Sequence, residues 1–246
     1  MTLVAGFRCL DGGILVCADR ERSGDGTKRS VDKLRELRLA DADFVFAASG
    51  SEVVIVNLYQ RLEEALRANE DDLLASHTSV ISGVLRSIHR EFKEFREWEE
   101  LVIAASFYRE TAIPVASFLY STVGNFLQPE HHFACKGGGK DLAGYFFNRL
   151  FDHWRFNPWP DRRRAVVVAT FVFREVEDHV EEVGRGTDIK YMATRQRVIQ
   201  TVPHTDVKTL EEAIPSIKDT IFERWHQGLT LPPWLKNNLY DDEGAS

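Results

Sequence analysis

The first fifty residues hold four strand candidates, at residues 3–10, 14–18, 34–39 and 44–48; in the first, second and fourth, hydrophobic side chains follow one another almost without a break, whereas Arg35, Glu36 and Arg38 interrupt the third. A strand with one wet face alternates apolar and polar residues, whereas near-continuous runs need cover on both faces. Asp11-Gly12-Gly13 separates the first two runs. An Asp-Gly step in that position is a strong hairpin signal, and the extra glycine suits a three-residue loop with a bulge, the second glycine being the one such a loop would use. Ala40-Asp41-Ala42-Asp43 divides the other two.

The period then changes. Val54, Ile55, Leu58, Tyr59, Leu62, Ala65 and Leu66 keep the spacing of one helix face, and Val80, Ile81, Val84, Leu85, Ile88, Phe92 and Phe95 do the same after the acidic break at residues 69–72. Strand character returns at residues 101–108, 113–120 and 131–135. Gly137-Gly138-Gly139 leads into a third helix carrying Leu142, Ala143, Phe146, Phe147 and Leu150. A Pro/Trp-containing loop at 157–161 precedes a fourth helix over about 163–179. Two more strands, 188–194 and 197–202, precede a last helix, for which Thr209-Leu210-Glu211-Glu212 offers a capping box and Pro215 a kink. Strand blocks and helix blocks are segregated, which points to α+β. Two sheets buried between two helical layers, a four-layer αββα sandwich, account for the doubly apolar strands. No linker divides the chain, so residues 1–246 read as one domain, with a C-terminal helix and tail over about 207–246.

Composition narrows the function. Lys plus Arg number 31 against Asp plus Glu 38, a net charge of −7, which disfavours wholesale binding to nucleic acid or an anionic membrane. No apolar stretch reaches the roughly 20 residues of a membrane-spanning helix. Three cysteines (Cys9, Cys17 and Cys135) make no paired framework, and no signal peptide is visible, so the expected compartment is the cytoplasm.

Thr2 is the position with chemistry. Removal of Met1 ahead of so small a residue leaves a free α-amine on Thr2, and an N-terminal Thr carries its own catalytic pair: the hydroxyl is the nucleophile and the amine the general base. An α-amine titrates near ~7.7–8.0, so a useful fraction is neutral at physiological pH.

Thr2-Leu3-Val4-Ala5-Gly6-Phe7-Arg8-Cys9-Leu10-Asp11-Gly12, followed by Ile14-Leu15-Val16-Cys17-Ala18-Asp19-Arg20, resembles the start of a proteasome β-type subunit, and of the bacterial HslV and Anbu proteins. Lys33 before Leu34-Arg35-Glu36-Leu37 stands as that family's lysine does. Phe46-Ala47-Ala48-Ser49-Gly50-Ser51-Glu52 resembles the turn into its first helix. Cys135-Lys136-Gly137-Gly138-Gly139-Lys140-Asp141-Leu142-Ala143 resembles its Gly-rich entry into the third helix, and Val183-Gly184-Arg185-Gly186-Thr187-Asp188-Ile189 the lead-in to its ninth strand.

The resemblance implies an N-terminal nucleophile hydrolase. Thr2 would be nucleophile and base, Asp19 would orient the amine and pair with Lys33, and Lys33 would lower the pKa of the Thr2 hydroxyl. The Ala48 N–H would stabilise the oxyanion. The strand end at Arg22 and Ser23 and the turn Ala48, Ser49 and Gly50 would pair with an extended peptide. Counted without a gap, the acidic position falls on Ala18 and the lysine position on Leu34; one extra residue in the Asp11-Gly12-Gly13 turn restores Asp19, and a shorter later loop restores Lys33. Gly138 stands where many members carry a helper serine, Val180 and Val183 where they carry an Asp/Ser pair, and Ala48 where they carry Gly.

The resulting expectation is a threonine-type peptidase acting through an acyl-enzyme on peptide or unfolded-protein substrates. It uses no metal or organic cofactor and forms a homo-oligomer, ring or helical array; whether an unfoldase docks is left open. Two alternatives remain: a non-catalytic structural subunit of the same fold, and an N-terminal threonine amidase acting on a small molecule or isopeptide. Family α-type subunits carry a segment before the first strand, whereas this strand starts at residue 2, which favours catalysis. Without Thr2, Asp19 and Lys33 would read as a structural ion pair. Gly137-Gly138-Gly139-Lys140 lacks phosphate-loop spacing. His131 and His132, adjacent on a strand, would face opposite sides and share no metal. Arg162-Arg163-Arg164 reads as a solvated helix start, and Phe92, Phe95 and Trp98 as a core or subunit-packing stripe.

Overall fold

The computed structural model of the chain describes residues 2–24, 27–30, 33–93, 100–109, 111–152, 160–181 and 183–226. Met1, Phe95, Trp98, residues 157–159 of the Pro/Trp loop and the tail from 227 lie outside them, as do the side chains of Arg22 and Ser23.

The order of elements is β1 (Leu3–Arg8), β2 (Ile14–Asp19), β3 (Glu21–Gly24), β4 (Thr27–Ser30), β5 (Leu34–Arg38), β6 (Ala42–Ser49), α1 (Glu52–Ala68), α2 (Leu73–Glu91), β7 (Glu100–Arg109), β8 (Thr111–Val123), β9 (Phe126–Glu130), β10 (Phe133–Gly137), α3 (Lys140–Asp152), α4 (Arg162–His179), β11 (Thr187–Ala193), β12 (Val198–Thr201) and α5 (His204–His226). The mixed α+β class expected from the segregated blocks holds. Two antiparallel five-stranded sheets form, in the orders β10-β1-β2-β11-β12 and β5-β6-β7-β8-β9, beside a separate β3-β4 ribbon.

The doubly apolar strands are explained by three cores. Leu3, Ala5, Phe7, Leu15 and Cys17 of the first sheet pack on Ala143 and Phe147 of α3 and Ala169, Val172 and Val176 of α4. Phe44, Phe46, Ala48, Leu101, Ile103 and Phe107 of the second pack on Val54, Leu58 and Leu62 of α1 and Ile81, Leu85 and Ile88 of α2. Val4, Val16 and Ala18 meet Val45, Ala47, Val102 and Leu119 between the sheets. Strands β1, β2, β6 and β7 therefore send alternate side chains to two different apolar partners. Gly6 leaves room for the facing sheet, since a Cβ there would stand 2.7 Å from methyls of both Val102 and Leu119.

The β1–β2 hairpin holds a correction. Cys9 N–H donates to Gly13 O and Gly12 N–H to Cys9 O, with Gly12 at φ 83°, the three-residue loop with a bulge that Asp-Gly suggested. The left-handed residue is Gly12, not the second glycine. Gly13 is needed for space instead, since its Cβ would fall 2.1 Å from the Tyr191 hydroxyl oxygen. Tyr191 is tied there by donating to Asp11 Oδ2, under the Arg162 guanidinium, 4.7 Å from the ring centroid. So Arg162 is a packing cation, while Arg163 and Arg164 are exposed as a solvated helix start would have them.

Several other expectations fail locally. The β3–β4 ribbon was not foreseen, because Glu-Arg-Ser-Gly and Thr-Lys-Arg-Ser contain no apolar side chain. Nor was β9, whose Pro129 argues against a strand and is tolerated at the sheet edge. His131 and His132 lie in the bend between β9 and β10 and are exposed, not on a strand. Thr209 is inside α5 and donates to Thr205 O, so it caps nothing; the helix starts at His204, directly after Pro203. Phe92 ends α2 and packs on the second core.

Candidate active site

The register of the first sheet sets the start of β1 between the ends of two neighbours. Leu3 lies opposite Gly137 of β10, and Val4 opposite Ala18 of β2. The next residue of β2 is Asp19, which faces Thr187 on its other side. Ala18, the gapless alternative, buries its methyl between the sheets, and so does Leu34.

Asp19 gathers three donors. Its Oδ1 accepts from the Leu3 N–H at 3.2 Å and from the Lys33 ammonium at 2.8 Å, and its Oδ2 from the Gly184 N–H at 2.7 Å. Asp19 is 1% exposed, Thr2 6% and Lys33 7%. Burial is the dominant influence on the Asp19 carboxyl and pushes its pKa up; the Lys33 charge and the two backbone N–H groups oppose it without winning. Lys33 immediately precedes β5, and Tyr59 of α1 donates its hydroxyl to the Lys33 carbonyl at 2.9 Å, fixing the backbone from which the ammonium extends.

A second set of contacts holds Thr2. Its carbonyl accepts from the Gly138 N–H and from the Ser49 hydroxyl, each at 2.9 Å. A Cβ on Gly137 would stand 1.8 Å from that carbonyl and 2.5 Å from Ser49 Oγ, and Gly137 has φ 90°, so no other residue fits the approach. The carbonyl and the N–H of the Thr2–Leu3 peptide are thus gripped by different groups, and the planar peptide is held at both ends. Glu100, at the start of β7, accepts from the Gly137 N–H at 2.6 Å and pairs with Lys140 at 2.7 Å.

Of the residues singled out in the sequence, Thr2, Asp19, Lys33 and Ser49 converge. Ala48, in β6, turns its methyl toward Phe46 and Val54 in the helix-side core, so the carbon that distinguishes it from glycine lies among apolar side chains. Gly50, at φ 138°, makes the turn into α1. Arg22 and Ser23 lie in β3, where their backbone pairs with Arg29 and Lys28. Sequence reasoning missed Glu100, the Gly184 amide, Tyr59 and the anchoring use of Ser49; each contact depends on a pairing across distant segments and leaves no local pattern.

The other reactive side chains are placed elsewhere. Burial pushes the Cys9 thiol up to about 12 and raises Cys17 and Cys135 as well, so none is a thiolate nucleophile near neutrality. Among the described residues no group of three or more His, Cys, Asp or Glu could hold a metal ion, and no helix is long and apolar enough to cross a membrane.

The sequence matches no protein-family model and no curated protein. Solved structures do match. Anbu (ancestral beta-subunit) from Yersinia bercovieri has a TM-score of 0.71 at 12% identity, over 94% of this chain and 98% of that one. The Gly-1 mutant of Anbu from Hyphomicrobium sp. strain MC1 has 0.71 at 14%, over 91% and 97%. The helical assembly of the Anbu complex from Pseudomonas aeruginosa has 0.70 at 13%, over 94% and 98%. At such identities the likeness establishes the fold: this chain has the fold of the Anbu structures over nearly its whole length.

Proposed function

We propose that this chain is a single-domain, four-layer αββα N-terminal threonine hydrolase of the proteasome type, a cytoplasmic peptidase that works as a homo-oligomer. The observation that carries the reading is the shared Asp19 Oδ1, which receives both the Lys33 ammonium and the peptide N–H next to Thr2. One buried carboxylate thereby fixes a cation and the first strand residue relative to each other.

With Met1 removed, the Thr2 amine takes the proton as the hydroxyl attacks a peptide carbonyl carbon. The new C–O bond makes a tetrahedral oxyanion facing the Ala48 N–H. Collapse breaks the C–N bond, the proton passes to the departing amine, and an ester on Thr2 remains. Water, deprotonated by the same amine, hydrolyses the ester and restores the hydroxyl. Lys33 lowers the pKa of the hydroxyl electrostatically. The segments around Arg22–Ser23 and Ala48–Gly50 align the substrate by main-chain pairing. Oligomerisation in a ring or helical array, the latter as in the Pseudomonas Anbu complex, limits entry to unfolded or short substrates.

One observation favours a second reading, a structural subunit without activity. Gly138, Val180 and Val183 occupy positions where the family resemblance calls for polar helpers, and Val176, Val180 and Val183 crowd an apolar site beside Gly139. Intact mass before and after incubation with a peptide epoxyketone separates the two, because that reagent closes a ring on both the hydroxyl and the free amine. The expected result is loss of Met1 and one adduct per chain. Thr2→Ala should keep the fold and abolish both adduct and turnover. Retained Met1 with no adduct sinks the catalytic reading in favour of the structural one. A processed Thr2 that takes no adduct points to a closed site, a missing partner or a small-molecule amidase.

A further inference from the structure

Two cross-strand pairs meet where the sheets come together at Thr2. Ser49 and Glu100 are directly opposite each other on β6 and β7; Leu3 and Gly137 are opposite each other on β1 and β10. Residues paired in this way project from the same face of their sheet. Ser49 reaches the Thr2 carbonyl, and Glu100 reaches the Gly137 N–H through Oε2 while Oε1 holds Lys140. The amide that follows, Gly138 N–H, grips the Thr2 carbonyl from the other side.

We infer that Glu100 is a positioning residue for Thr2: by tying the Gly137 amide to the Lys140 ammonium it fixes the glycine turn whose next N–H sets the Thr2 carbonyl. This inference rests on the reading of Thr2 as the nucleophile. The turn needs an outside tether because its residues are glycines, two of them (Gly137 and Gly139) with positive φ, and glycine restrains its own backbone least of all residues. Glu100 is the side chain that supplies this restraint from the second sheet. Charge-assisted hydrogen bonds such as Glu100 to a backbone N–H are stronger than neutral ones. Lys140 lies at the start of α3, so the same carboxylate couples the turn to the helix that follows it. Rotation of the Thr2–Leu3 peptide plane moves the hydroxyl and amine relative to Lys33, and displacements near 1 Å cost on the order of 10²-fold in rate.

The test compares Glu100→Ala and Glu100→Gln in the full chain, reading peptide turnover and amide exchange at Gly137 and Gly138. Glutamine keeps an acceptor oxygen for the Gly137 N–H; alanine does not. Glu100→Ala should lower kcat by roughly 10–100-fold with KM within about twofold, and speed exchange at the two glycines by about tenfold. Glu100→Gln should recover most of both. Unchanged exchange in Glu100→Ala overturns the inference. So does a rate loss that persists in Glu100→Gln although exchange at the two glycines returns to the wild-type rate, since the turn would then be held without restoring catalysis, and so does a rise in KM at constant kcat. If the wild-type chain neither turns over peptide nor takes an adduct at Thr2, the functional reading fails. Exchange alone then decides whether Glu100 holds the turn: acceleration upholds the tether, and wild-type exchange overturns it.

Discussion

Replacing Asp19 by alanine removes the carboxylate that three donors share, and the cost follows from the geometry. The Lys33 ammonium is 7% exposed and lies 2.8 Å from Oδ1. Breaking a buried ion pair from one side costs about 3–5 kcal/mol, because the remaining charge stays desolvated after the loss of this carboxylate. The Leu3 and Gly184 N–H groups lose their acceptor at the same time, and each buried donor so stranded costs about 1–3 kcal/mol. Upward displacement of the Asp19 pKa by burial works the other way, since it marks a carboxylate that is itself expensive to bury. The expected destabilisation is therefore about 3–5 kcal/mol, not the sum of these costs. Urea unfolding at fixed protein concentration, followed by far-UV circular dichroism, measures it as a fall in the midpoint at constant slope.

The double variant Asp19→Ala with Lys33→Met isolates the charge. Removing the ammonium as well should return about 1–3 kcal/mol relative to Asp19→Ala alone, since an apolar stem replaces a buried cation. A loss below about 1 kcal/mol for Asp19→Ala, the range of exposed pairs, would refute the reasoning; so would a double variant no more stable than the single one.

Three further outcomes can be measured independently. His77 is buried, accepts the Tyr120 hydroxyl at Nε2 and bonds the Leu73 carbonyl through Nδ1, and burial lowers its pKa from the ordinary 6.5; because the unfolded chain takes up the proton first, this contribution is present above pH ~6.5 and shrinks as the pH falls below it. The stability difference between wild type and His77→Gln should accordingly narrow from pH 7.5 to pH 5, and a difference independent of pH would exclude the buried neutral imidazole. Gly13→Ala forces a methyl against the tethered Tyr191 ring and should cost about 1–3 kcal/mol, relieved when Tyr191 is also replaced by alanine; no relief in that pair would mean the ring is not the obstacle. Gly137→Ala carries a backbone cost of about 1–3 kcal/mol from its positive φ on top of the collision with the Thr2 carbonyl, and thermal unfolding at wild-type temperature would contradict both.

The hydrophobic pattern carried most of the architecture, because burial on two faces leaves a mark that is local in sequence. Residues 14–18 have no polar interruption, and the strand that forms there is buried at every position. The α1 and α2 faces were legible for the same reason. Elements that bury little were not. The β3–β4 ribbon is polar, β9 carries a proline, and the α5 start depends on Pro203 and not on the capping box six residues further on. Asp19 over Ala18 sat between these cases: the Asp-Gly-Gly turn suggested the added residue, but its bulge, with Gly12 left-handed and Gly13 cleared for Tyr191, is fixed by a partner about 180 residues away.

Local chemistry in the sequence could nominate Thr2, Asp19 and Lys33, since each stands beside a recognisable strand or turn. Sequence periodicity also indicated strands covered on both faces, because near-continuous apolar runs leave neither face fit for water. Only the tertiary structure decided what holds Thr2 and its neighbours in place. Ser49 of β6 and Gly138 of the glycine turn bond the Thr2 carbonyl, Glu100 of β7 bonds Gly137, and Gly184 before β11 bonds Asp19; hydrogen bonds between segments so far apart depend on sheet register and inter-sheet distance, neither of which any stretch of sequence encodes by itself.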